Sequence, residues 1–143
     1  MPARLPSELR ARIEERMRKA GRFRSSAEGA FEDQDYETCA SRSYYAAFHA
    51  ATALLMAHGK PEAENWQSHN MVINECSSLG TKRNKWFVAL RMGRSRDFTS
   101  SFHSLYTLRR EADYVSASID RPRARVALRF VIEFLVAVNE RIP

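Results

Sequence analysis

Apolar residues recur at three- and four-residue steps along most of this chain, and no stretch alternates in the manner of a half-buried strand. Leu9, Ile13, Met17, Ala20, Ala27 and Phe31 form the first such stripe. They predict a helix that starts at Ser7, as cap behind Pro6, and runs towards Asp33. Gly21 and Gly29 weaken it and predict a bend. Asp35 is placed to cap a second helix, which stops near His58 before Gly59-Lys60-Pro61. A third, shorter helix is predicted from Trp66 to Leu79, ending at Gly80. Thr81 to Arg96 reads as a loop with one short helical turn. A fourth helix follows from about Asp97 to Tyr114, with Phe98, Phe102, Leu105 and Ala112 inward. Asp120 caps a fifth, which tolerates Pro122 in its first turn and carries Ala127, Phe130, Val131, Phe134, Leu135 and Val138 as a broad packing face. Five helices with mostly short connections predict an all-α antiparallel bundle, one domain over residues 1–143.

Composition changes this picture little. Hydrophobic content of 44% and charged content of 28% suit an ordinary globule of 143 residues that needs no staple to hold its core. The net charge of +6 permits a polyanionic partner without requiring one. Arginine supplies most of it, and its planar fork suits phosphate. Cys39 and Cys76 are too few for a disulfide framework and lack CxxC spacing, so a reducing cytoplasm is the economical expectation. The charged start MPARLPSELRARIEER is unlike a signal peptide, and no run approaches the roughly twenty apolar residues that span a bilayer.

The most distinctive run is Ser41 to Ala57, SRSYYAAFHAATALLMA. It opens on Arg42, and His49 follows seven positions later. Two helical turns take about 7.2 residues, so the two side chains fall on one stripe, roughly 10 Å apart along the axis. Two readings follow. Either both are hydrogen-bonded structural groups, with Arg42 paired to Asp113 or a helix-end carbonyl and His49 satisfied in the core, or they face a negatively charged partner.

No glycine-rich phosphate loop, HExxH, zinc-spaced Cys/His cluster or GxSxG elbow is present. The run Arg42-Ser-Tyr-Tyr-Ala-Ala-Phe-His49-Ala-Ala and the later Leu108-Arg-Arg-Glu-Ala-Asp-Tyr114 together resemble the HEPN superfamily. More narrowly, they are similar to its small stand-alone prokaryotic members. The likeness in helix order spans about residues 7 to 140. It implies a helical bundle that forms a homodimer and, in many members, cleaves RNA without metal or cofactor. It casts Arg42 and His49 as the catalytic pair: a ribose 2′-hydroxyl attacks the adjacent phosphate, the histidine moves protons and the arginine steadies the phosphoryl oxygens. It marks Tyr44, Tyr45, Arg109, Arg110, Asp113 and Tyr114 as motif or binding residues. It also implies a toxin-type role beside a minimal nucleotidyltransferase, with Tyr114 as the residue open to modification. The other reading keeps the bundle and gives it a non-catalytic task, holding a nucleotide or RNA or scaffolding a partner. The sequence departs from the nuclease pattern in two places. Ser43 follows Arg42 where a polar Asn, Asp or His often stands, and no histidine follows Arg110 on the fourth helix.

Three charged regions complete the reading. Lys82 to Arg96, with Trp86 and Phe87, can track a nucleic-acid backbone or plug the bundle end. The arginines of the first helix occupy several faces. Arg109 and Asp113 form an i,i+4 pair that, if buried, holds the fourth helix against the second.

Overall fold

A computed structural model of the chain describes residues 4–83, 86, 90, 102–114 and 118–143. Among these residues the structure is α-helical, with α1 (Ser7–Glu32), α2 (Tyr36–Ala57), a 3₁₀ turn (Pro61–Asn65), α3 (His69–Lys82), α4 (Phe102–Tyr114) and α5 (Arg121–Asn139). The expectations placed on residues 84–85, 87–89 and 91–101, Phe87 and Phe98 included, lie outside the described residues. Trp86 and Leu90 are helical, and Leu90 is fully buried.

The centre of the bundle is α2. Sixteen of its 22 residues are buried, and it touches α1, α3, α4, α5 and the 3₁₀ turn. Its run of alanines explains this position, because small side chains let neighbouring helices approach on every side while the backbone keeps its best helix former. Around it, α1 buries Ile13, Ala20 and Ala27, and α5 buries Ala124, Ala127, Phe130, Val131, Phe134, Leu135 and Val138. The rings of Phe130 and Phe134 stack at 5.4 Å, and Phe102 of α4 meets Phe134 at the same separation.

The helix ends follow local chemistry. The Asp35 carboxylate accepts from the Thr38 N–H at 3.3 Å, and Asp120 accepts from the Arg123 N–H at 3.0 Å. The end of α1 is a left-handed closure: Gln34 has φ 62°, and the Asp35 and Gln34 N–H groups return to the carbonyls of Ala30 and Phe31. Gly59, with φ 93°, does the same for α2.

Three details differ from the sequence expectation. Ser7 is the first helical residue rather than the cap, and Pro6 holds the cap position with no side-chain bond. α1 continues as one helix through Gly21 and Gly29, because neither is asked for a glycine-only conformation. α3 starts at His69, where Ser68 accepts from the Met71 N–H at 3.2 Å, and runs through Gly80 to Lys82. Trp66 instead follows the 3₁₀ turn.

No helix among the described residues is long and apolar enough to cross a membrane. Cys39 and Cys76 are both buried, and burial raises the pKa of their thiols to about 11 and about 12.

Candidate functional site

The two sequence motifs meet along one side of α2, but they form two distinct clusters. The first surrounds His49, which is 7% exposed. The imidazole stacks on Phe23 of α1 at 5.2 Å and meets Phe48 edge-on at 5.6 Å. Its Nδ1 lies 2.9 Å from Arg16 Nη1, and a guanidinium only donates, so Nδ1 is the acceptor and the ring proton of the neutral form sits on Nε2. The other arm of Arg16 donates to the Glu64 carbonyl at 2.8 Å, which fixes the guanidinium in place. Burial, followed by the charges of Arg16 and Lys19, lowers the His49 pKa to about 3. The imidazole is therefore neutral across the physiological range.

Arg42 is exposed, and its guanidinium lies over the same Phe23 ring at 5.6 Å. The predicted pair thus shares a ring, one member in solvent and the other inside. Arg42 lines a small open groove between α2 and α4 together with Ser41 and Asp113. Asp113 is engaged by the Ser41 hydroxyl at 3.4 Å and by Arg109 at 3.5 Å.

The second cluster is built around Arg109 of α4, a residue that is 4% exposed. Four tyrosine rings surround it: Tyr44 at 5.1 Å, Tyr106 at 5.4 Å, Tyr114 at 5.5 Å and Tyr45 at 5.8 Å. The negative ring faces replace water around a buried cation, and Asp113 supplies the formal counter-charge. Burial works against the charge, and the phenols of Tyr45, Tyr114 and Tyr44 outweigh it, leaving the Arg109 pKa above its ordinary value. Its Nε is buried and has no hydrogen-bond partner among the described residues.

Beneath this cage, Tyr44 is fully buried and its hydroxyl lies 2.6 Å from His69 Nδ1. Burial raises the Tyr44 pKa, so the phenol keeps its proton and donates it to the imidazole. Burial and then the Arg109 charge lower the His69 pKa, which keeps that ring an acceptor. At the rim, Tyr114 is 73% exposed with its hydroxyl 3.4 Å from Arg109 Nη1.

Tyr44, Tyr45, Arg109, Asp113 and Tyr114 are thus brought together, and Tyr45 bridges to the other cluster by lying 5.7 Å from Phe23. Arg110 belongs to neither cluster and points to solvent. Asp113 engages Arg109 and Ser41 rather than Arg42. Sequence reasoning missed Arg16, Phe23, His69 and Tyr106. Arg16 and Phe23 sit two turns apart on α1, one stripe beside the apolar positions, and that seven-residue step was the available signal. His69 had none beyond its place after the Ser68 cap.

α1 also gathers Arg12, Arg16, Lys19 and Arg22 along one groove with Glu15 and Glu64, so its arginines are less scattered than the sequence suggested. Among the described residues, no group of three or more His, Cys, Asp or Glu side chains could hold a metal ion.

Comparison with known proteins adds two findings. A family profile described as the HEPN domain matches residues 13–141. A UPF0332 protein from Archaeoglobus fulgidus is 34% identical over 102 residues, spanning 71% of this chain and 71% of that protein.

Proposed function

Since the chain belongs to the HEPN-domain family, we propose that it works as a binding module within a paired system, engaging a minimal nucleotidyltransferase and a nucleotide or RNA without itself cutting RNA. The observation that carries this reading is the closure of His49. A base for ribose chemistry near neutral pH needs an accessible nitrogen and a pKa close to ambient. His49 has its Nδ1 spent on Arg16, its ring face on Phe23 and a pKa of about 3. The interactions of this histidine lock α1 to α2.

The working face in this reading is the rim of the Arg109 cage. Tyr114 is the accessible phenol, and the buried cation beside it stabilises any negative charge that develops on its oxygen. A nucleotidyltransferase partner would find there a tyrosine held at the end of a helix and a basic neighbour in Arg110. The family resemblance extends the proposal to a homodimer, which light scattering at several concentrations tests.

A second reading, toxin-type ribonuclease, has one observation in its favour: Arg42 and His49 share the Phe23 ring, so a shift of Phe23 and Arg16 on assembly would present both to one phosphodiester. Purified protein incubated with mixed RNA in EDTA separates the two readings, with Arg42→Ala and His49→Ala alongside. The binding-module reading expects RNA of unchanged length in every tube. Cleavage by the wild type that both variants lose would establish the ribonuclease instead.

A further inference from the structure

At the C-terminal end of α2, about 20 Å along its axis from Tyr44, lies an open cavity of about 980 Å³ that neither motif reaches. It is lined by residues from several ends at once: Arg4, His58 and Gly59 after α2, Arg83 after α3, Trp86, and Arg141 after α5. The Trp86 indole is its anchor. The guanidiniums of Arg83 and Arg141 lie 5.6 Å and 5.8 Å from the indole ring, and His58 meets it edge-on at 4.8 Å. The His58 Nε2–H donates to the Arg141 carbonyl at 2.6 Å, which ties the α2 end to the α5 end.

We infer that this cavity is a binding site for a phosphate monoester, gripped by Arg83 and Arg141 across Trp86. Arginines near helix ends often serve only to complement the last carbonyls, and one arm of Arg141 does so, donating to Ala137 at 2.7 Å. Two further facts point to a ligand. Arg83 and Arg4 are exposed and make no ion pair among the described residues. Three lining guanidiniums face one lining side-chain carboxylate, that of Glu140, which lies 3.8 Å from Arg141 Nη1, so the excess rests on Arg4 and Arg83 and suits a doubly charged monoester better than a carboxylate. The indole holds the arginine forks in place, which lowers the ordering cost of a bidentate grip. The space beside it admits the sugar and base of a nucleotide.

The monoester can come from a free mononucleotide or from the 5′ end of an RNA, and calorimetry at low salt distinguishes them. The probes are inorganic phosphate, adenosine monophosphate, and one short RNA with and without its 5′-phosphate. Saturable binding of adenosine monophosphate or of the phosphorylated RNA is expected, and whichever binds tighter identifies the source. Arg83→Glu, a surface change that spares the core, should weaken that binding about tenfold or more, whereas Arg129→Glu, the same charge change at an exposed residue that does not line the cavity, should leave it unchanged. No saturable binding by any probe would overturn the inference. Equal affinity in Arg83→Glu, or an RNA that binds as tightly with a 5′-hydroxyl, would overturn it as well. The site does not depend on the role proposed for Tyr114, so either can fail alone.

Discussion

His49 shows how environment decides what a side chain can do. Burial and two cations hold its pKa near 3, against 6.5 for a free histidine. The unfolded chain therefore binds a proton here that the folded chain refuses, and stability falls as the pH drops from 6.5 towards about 3. The loss approaches about 1.4 kcal/mol per pH unit across that window. Denaturant titrations at a series of pH values should show this slope in the wild type and a shallower one in His49→Gln, whose amide still offers Arg16 an acceptor. His69 adds to the slope in the same direction, since its pKa is also lowered. The Tyr44 hydroxyl makes a different contribution: Tyr44→Phe keeps a ring against Arg109 and loses only the 2.6 Å bond to His69. Its expected cost is about 1–2 kcal/mol by urea denaturation, with the fold retained.

The helices were legible because their signals are local. An aspartate before an apolar run, a glycine after one and stripes at three and four residues each act within a turn or two, and Asp35, Asp120, Gly59 and the α5 stripe all do what that chemistry predicts. Where a local signal was ambiguous, the structure chose the neighbour: Ser7 follows the cap position instead of filling it. Hence Asp35→Ala should cost about 1 kcal/mol, while Ser7→Ala should change the thermal midpoint little. Gln34 takes the left-handed position where glycine is usual, so its neighbours rather than its own preference close α1. The site was only half legible. Sequence spacing placed Arg42 and His49 on one stripe, and the family resemblance marked Tyr44 and Arg109 as motif residues, but neither carried a sign that Phe23 and Arg16 of α1 would cover the imidazole. That contact depends on the crossing of two helices, which no single-helix pattern encodes.

At the scale of the molecule, one core helix organises three chemically distinct surfaces: a closed histidine under α1, a tyrosine-caged arginine with an exposed phenol at α4, and a basic pocket around Trp86 at the bundle end. The first is sealed by packing that also holds α1 to α2, so opening it would disturb the bundle as a whole. The other two are accessible without rearrangement, and the proposed binding role rests on that contrast. The most direct test is nitrogen NMR of the His49 ring in the whole protein, recorded across pH with and without RNA in EDTA. Closure of His49 predicts a neutral ring protonated on Nε2 that stays untitrated until the pH nears 3, with RNA making no difference. A His49 that titrates close to 6.5, or does so once RNA is added, would contradict it.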